Sequence, residues 1–396
     1  MKPFRCINAR VDLAKVLFGP YIKAIEEVVF HDPRFIKKVP VPERFEYIRQ
    51  KLVKAGSKYS VTDFTSFEST FNVKLMLAIE LQVIAYVGRD LPNFKWFYSL
   101  FKSTVCGENH CSFRYFTAVV RATRMSGEMD TSLANGITNL VMLQFVGHKY
   151  GLDDVPCVVE GDDGMATWPL SINPSEKDWE EWGFKIKLAM YSNPFEGGFC
   201  GMNMDETSGV NCPDPSPFVA KFWWATDNAV LASARTQRML LSAKALSAAY
   251  EYAGAPVVGS VVRAALRITG HEDPRPLLEK QGIWDNYTKE RMEHVFSGIT
   301  DAKIAQPVND VARVFVERKY GMSISAQKKL ERFFDGVLSP ACFPVGELLT
   351  LPLDYSTMAS SVRVVPKGFP YDLIHMLGDV DNRDPREVFK GVEIFE

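Results

Sequence analysis

At 396 residues, 46% hydrophobic and 24% charged, the chain is too long for one ordinary core and is expected to form two or three subdomains. No apolar run reaches the roughly eighteen residues a membrane-spanning helix needs and no signal-peptide pattern opens the sequence, so membrane association would be peripheral or supplied by other sequence. The net charge of −2 is uneven: residues 1–60 hold 13 Lys and Arg against 6 Asp and Glu, a balance of +7 that leaves −9 for the remainder. A basic segment facing an acidic body suits a protein that holds phosphates and cations together, although a solvated basic face has the same composition.

In chain order, a helical apolar period covers residues 13–30 and gives way to a loop punctuated by Pro33, Pro40 and Pro42. Residues 58–68 read as a short strand carrying Asp63, with Glu68 five positions on. The run Cys106-Gly107-Glu108-Asn109-His110-Cys111 has donors for zinc but no second pair at a zinc spacing. The odd total of seven cysteines points to a reducing compartment with buried or loop thiols. Next comes Ser126-Gly127-Glu128-Met129-Asp130-Thr131-Ser132-Leu133-Ala134-Asn135, in which Ser126 and Gly127 form a mobile start to a helix expected over residues 131–150 and stopped by Gly151. Thr131 and Asn135, four apart, share one face of it.

Residues 158–166, Val158-Val159-Glu160-Gly161-Asp162-Asp163-Gly164-Met165-Ala166, put two adjacent carboxylates in a glycine-flanked turn between apolar strands. Such acids repel one another unless a hard divalent cation with a preference for oxygen ligands sits among them. Asn173-Pro174-Ser175-Glu176 starts a helix with capping-box spacing that is expected to end at Gly183. Beyond it, Phe184, Ile186 and Leu188 alternate with Lys185 and Lys187 as a strand. Phe199-Cys200-Gly201 reads as an apolar strand edge. After Pro213-Asp214-Pro215-Ser216-Pro217 the composition turns to Ala, Leu, Arg and Lys at helical spacing, with Leu231, Met239, Leu240 and Ala243 as core.

A Gly-Asp-Asp alone is most simply a solvated turn. The ordered set of an acid on a strand, S-G-x3-T-x3-N and G-D-D, spread over about a hundred residues, is far more specific. These three segments resemble palm motifs A, B and C of viral RNA-dependent RNA polymerases of the positive-strand, tombusvirus and flavivirus-like kind. Lys2-Pro3-Phe4-Arg5-Cys6-Ile7-Asn8-Ala9-Arg10 resembles their basic motif F, and the stretch that follows, through residues 19–26, is most similar to the positive-strand polymerases of the tombusvirus and flavivirus-like kind. The recognised motifs span residues 2–224. The resemblance implies an α+β right-hand polymerase with an antiparallel-sheet palm, partial fingers and a mainly helical thumb. Residues 1–57 would be partial fingers, 58–215 the palm with motifs A to E and a fingers insertion near 72–120, and 216–396 the thumb. A start almost at motif F implies that further fingers sequence precedes it in the intact protein.

The implied reaction is template-directed transfer of nucleotides from rNTPs to an RNA 3'-hydroxyl by two-metal catalysis, in viral genome replication. The resemblance implies that Asp63 and Asp162 bridge Mg2+ ions, with Mn2+ able to substitute, and that Asp163 supports them. Lys2, Arg5 and Arg10 would line the path of the incoming triphosphate, and Ser126, Gly127, Thr131 and Asn135 would meet the ribose and the template–product pair. Lys187, ahead of Lys185, fits the motif D lysine that protonates leaving pyrophosphate, and residues 199–201 fit motif E. RNA template, product strand, rNTPs and other viral replication proteins would be the partners, in the host cytoplasm at membrane-associated replication complexes reached through missing sequence or partners.

Two features depart from the pattern. The family often has an aspartate five positions after the first acid, where this chain has Glu68, so contact with the ribose or Asn135 is expected to shift or to run through water. Glu160, just before Gly-Asp-Asp, has no account in the sequence. Two alternatives share the fold: a catalytically silent RNA-binding replication protein, and a reverse transcriptase, which usually carries an aromatic residue where Glu68 stands.

Overall fold

The computed structural model describes residues 7–113, 115–223 and 232–337. Lys2, Arg5 and Leu231 lie outside the described residues. The chain divides into two compact units, Met1–Gly209 and Val210–Glu396.

The first unit opens with helix α1 (Asp12–Val29), whose buried Phe18, Ile22, Ile25 and Val29 recur at three- and four-residue spacing and so form one apolar stripe. Pro40 and Pro42 flank the start of a tight turn that leads into α2 (Arg44–Leu52). Strand β1 (Ser57–Phe64) follows. Helices α3 (Val73–Ala78), α4 (Glu80–Gly88) and α5 (Phe94–Val105) and a hairpin of β2 (Glu108–Ser112) and β3 (Thr117–Arg121) separate it from α6 (Thr131–Lys149). Then come β4 (Cys157–Glu160), β5 (Asp163–Pro169), the single turn α7 (Lys177–Glu180) and β6 (Ile186–Tyr191).

The main sheet has four strands in the order β4-β5-β1-β6, each pair antiparallel. Alternate residues of β4 and β5 face two different clusters. Val159, Ala166 and Trp168 pack with α6 and the neighbouring helices, whereas Val158 and Met165 pack with Ile48 and Leu52 of α2. Burial on both faces explains why these strands read as nearly continuous apolar runs. The buried indole of Trp168 donates from Nε1 to Ser60 Oγ at 2.8 Å, tying β5 to β1.

The helix expected from residue 174 to Gly183 is only one turn long. The Asp178 carboxylate accepts from the Ser175 backbone N–H at 2.9 Å, as in a capping box, but it also accepts from Tyr150 Oη and Lys149 Nζ. Buried Trp179 anchors the turn, and Gly183, at φ +86°, redirects the chain into Phe184. The following strand begins at Ile186, so Phe184 is buried ahead of it.

All regular structure described in the second unit is helical: α8 (Pro215–Phe222), α9 (Ala234–Glu251), α10 (Val258–Ile268), a 3-10 turn (Arg275–Leu278), α11 (Asn286–Gly298), α12 (Asp301–Ile304), α13 (Asp310–Tyr320) and α14 (Ile324–Gly336). Ser233, Asp285, Asn309 and Ser323 each cap a helix by accepting from a backbone N–H of its first turn. Val261, Ala265, Phe315, Leu330 and Phe334 form the centre of its core; Met239 and Ala243 are buried as expected, whereas Leu240 is only half-buried.

Candidate active site

The candidate site is built on one end of the main sheet. Strands β4 and β5 pair from Cys157↔Ala166 to Glu160↔Asp163, leaving Gly161 and Asp162 as a two-residue tip. Gly161 has φ +61°, the left-handed conformation a type II′ hairpin requires at its first central position. Strand β1 runs antiparallel to β5 as far as Thr62↔Gly164, so the next residues, Asp63 and Asp163, fall at the same end of adjacent strands. On its other side Asp63 lies directly opposite Lys187 of β6, and directly paired residues present their side chains to one face. Lys185 lies just before β6, where its carbonyl accepts from the Thr65 N–H at 2.8 Å. Both lysines are exposed.

Asp163 records the crowding of acids. Burial first, and then the charges of Asp162, Glu160 and Asp63, push its carboxyl up to about 6, while a hydrogen bond from the Cys200 thiol opposes the rise. Burial and the surrounding carboxylates raise the Cys200 thiol in turn. Cys200 sits in a second tight turn, Phe199 to Met202, where it and Gly201 have φ of +51° and +72°. That pair of positive angles is the type I′ arrangement, and it carries the thiol to the acids.

Helix α6 holds the Gly-Asp-Asp tip from behind. Asn139 Nδ2 donates to Asp162 O at 3.0 Å and to Gly161 O at 3.4 Å. The helix approaches closely because Gly136 has no side chain: a Cβ there would lie 3.0 Å from the Phe35 ring and 3.6 Å from Gly161 N. Gly164 is confined likewise, with a Cβ position 2.9 Å from Thr62 Oγ1 and 3.0 Å from Asn139 Nδ2. Glu160 now has its explanation, an ion pair with the buried guanidinium of Arg44 at 2.7 Å. Arg44 Nε also donates to Val39 O at 2.9 Å.

Asn135 and Glu68 come together: Asn135 Nδ2 donates to Glu68 Oε1 at 3.4 Å, a long but direct contact. Glu68 belongs to a short 3-10 turn entered through Ser66 in the left-handed conformation, φ +53°. The Thr131 hydroxyl donates to Met125 O at 3.2 Å and so closes the Ser126–Gly127 loop rather than standing free. Ser126 O accepts from the Asn8 N–H at 2.8 Å, Gly127 has φ +95°, and Arg10 forms an ion pair with Glu128. Arg10 is therefore engaged with this loop, which the sequence did not indicate.

The donor chemistry suits a hard divalent cation, since acids on two adjacent strands and a hairpin tip lie close enough to perturb Asp163. Among the described residues, however, no group of three or more His, Cys, Asp or Glu side chains is gathered as a metal cluster, at the acids or at Cys106 and Cys111. Both of these cysteines are free thiols. Asn139, Arg44 and Cys200 carry contacts that the sequence reading did not assign. Only Asn139 had a usable signal: it lies one helical turn beyond Asn135, a second amide in a helix otherwise rich in apolar residues.

The arrangement is that of a mixed α/β protein with Asp63 and Asp163 at one end of an antiparallel sheet and Asp162 at the adjoining hairpin tip. Residues 36–206 match the family model described as viral RNA-directed RNA-polymerase, which places that segment of the chain with the viral RNA-directed RNA polymerases. It spans Asp63, Glu68, Ser126, Gly127, Thr131, Asn135, Asp162, Asp163 and Lys187, whereas Lys2, Arg5 and Arg10 precede it. No curated protein matches the chain.

Proposed function

We propose that the chain is a template-directed RNA polymerase of the right-hand kind, with the main sheet and α6 as palm, the flanking helices and hairpin of the first unit as partial fingers, and the helical second unit as thumb. The observation that carries the reading is the placement of Asp63, Asp162 and Asp163 at one sheet end, inside the segment that matches the viral polymerase family. Asp63 and Asp162 would hold Mg2+, or Mn2+ in its place, with Asp163 in support. The bound ions would activate the RNA 3'-hydroxyl and neutralise charge on the triphosphate.

The chain's own groups do the rest. The 3'-hydroxyl gives up its proton to water as its oxygen bonds to the α-phosphorus, and as the bond to pyrophosphate breaks Lys187 donates a proton from Nζ to the leaving pyrophosphate. Asn135 and Glu68 orient the ribose 2'-hydroxyl. Asn139 and the Arg44–Glu160 pair hold the hairpin so that Asp162 and Asp163 keep their positions. Template and product RNA are the macromolecular partners, and other viral replication proteins would bring the enzyme to membrane-associated complexes in the host cytoplasm.

A catalytically silent RNA-binding protein of the same fold is the second reading, favoured by the absence of a gathered metal cluster among the described residues. Incorporation of labelled nucleotide on a defined RNA template separates the two. The polymerase reading expects Mg2+-dependent extension with rNTPs and far less with dNTPs. RNA binding without extension in Mg2+ or Mn2+ would establish the silent protein instead.

A further inference from the structure

The loop between β3 and α6 is closed at its base by charges that the proposed chemistry does not use. Arg124, whose side chain is 1% exposed, donates from Nη2 to Glu80 Oε2 and lies 3.3 Å from Asp130 Oδ2 through Nη1. Its guanidinium carbon stands 4.1 Å from the centre of the Phe71 ring, a cation–π contact in a dry site. Both acid side chains are almost fully enclosed, at 2% for Glu80 and 4% for Asp130. Burial holds the Glu80 carboxyl up at about 7 against the pull of Arg124.

Asp130 occupies the position before the first turn of α6, where an aspartate normally caps the helix by accepting from a backbone N–H. Here it makes no such bond. Its carboxylate is turned to Arg124 instead, so the start of α6 is fixed by a contact across the loop and not by its own cap. Glu80, the first residue of α4, ties the same guanidinium to a different helix. On the outer side of the loop Arg10 pairs with Glu128, whose side chain is 4% exposed. The chain from residue 124 to residue 130 is thus pinned at both ends and at its middle.

We propose that Arg124 is a positioning residue which, by bridging Glu80 and Asp130 over Phe71, sets the conformation of the Ser126–Gly127 loop and the entry angle of α6, and through them where Thr131 and Asn135 stand. The connection to nucleotide selection rests on the polymerase reading above; the fixing of the loop does not. A flat, five-donor guanidinium can bridge two carboxylates and stack on a ring, whereas an ammonium of equal charge cannot do all three.

Two variants test this, Arg124→Lys and Glu80→Gln, the second retaining volume and an acceptor should the first fold poorly. Hydrogen exchange of the amides in residues 125–131 is compared with exchange in β5 and with thermal unfolding. Loop exchange is expected to rise about tenfold or more in at least one folded variant while β5 stays protected. In steady-state extension the same variant is expected to raise KM for rNTP more than it lowers kcat and to narrow the preference for rNTP over dNTP. Unchanged loop exchange in both folded variants, or loop and β5 exchange rising together, overturns the proposal. If the wild-type protein extends no RNA, the polymerase reading fails, while the exchange result still decides whether Arg124 fixes the loop.

Discussion

The closeness of Gly164, Thr62 and Asn139 permits a prediction that needs no assumption about substrate. Gly164 has no left-handed backbone angle, so alanine there would ordinarily stabilise by about 0.4–1 kcal/mol through the unfolded chain. Its Cβ, however, would lie 2.9 Å from Thr62 Oγ1, closer than side chains come, and 3.0 and 3.2 Å from Asn139 Nδ2 and Oδ1, tight enough that the amide must give way. Overpacking of this kind costs roughly 1–3 kcal/mol, so Gly164→Ala is expected to destabilise. Asn139→Ala removes the donor to Asp162 O and Gly161 O, at about 1 kcal/mol for the well-formed bond and less for the long one.

In the double variant two of the three close contacts of the new methyl group no longer exist. Its cost should fall short of the sum of the two single costs by about 1 kcal/mol, a coupling well above the roughly 0.3–0.5 kcal/mol scatter of independent sites. Urea unfolding of the four proteins measures the cycle. Strict additivity, or a Gly164→Ala variant as stable as the wild type, would show that Asn139 does not pack against the hairpin as described.

Asp163 predicts a pH dependence measurable in chelator. Its folded carboxyl titrates at about 6 against an ordinary value of 3.8, so between these pH values the folded state keeps a proton that the unfolded chain has released, and stability falls as pH rises through that window. Asp163→Asn should therefore gain stability relative to wild type by roughly 2–3 kcal/mol more at pH 7 than at pH 3.5; an equal difference at both pH values would contradict the assignment. Lys187→Ala should slow single-turnover extension by on the order of 10²- to 10⁴-fold with little change in nucleotide affinity. Lys185→Ala should do much less, and the reverse ranking would move the role to Lys185. Because Asn135 donates to Glu68, Asn135→Ala and Glu68→Ala should both lower kcat/KM for rNTPs more than for dNTPs, with Glu68→Asp milder than Glu68→Ala. An unchanged ratio in both alanine variants would put sugar selection elsewhere.

The hairpin at residues 158–166 was legible because its information is local: apolar residues on both sides, and a glycine where the backbone must turn left-handed. Helix α6 was legible for the same reason, with Gly151 at φ +78° just beyond its end. What the sequence withheld is long-range. Glu160 looked unexplained because its partner, Arg44, sits on a helix far earlier in the chain. Cys200 reaches Asp163 only because a turn with two positive φ angles brings it there, and nothing in Phe199-Cys200-Gly201 specifies which strand end that turn will meet. The helix expected before Gly183 is a single turn, and its Asp178 is shared with Lys149 and Tyr150 at the end of α6, contacts the local sequence does not announce. Arg10 reads as a phosphate contact until Glu128 is placed beside it, and Arg124, to which the sequence assigned nothing, gains a role only once Glu80 and Asp130 surround it.

On the proposed function, Asp63 and Asp162 would hold the ions on which RNA synthesis depends. Single-turnover extension of an RNA primer on an RNA template in Mg2+, measured beside RNA-binding affinity for the wild type, Asp63→Asn and Asp162→Asn, tests it most directly. Each variant deletes one ligand charge and almost no volume, so extension should be lost while RNA affinity stays near that of the wild type. Near-normal extension by either folded variant would contradict the account.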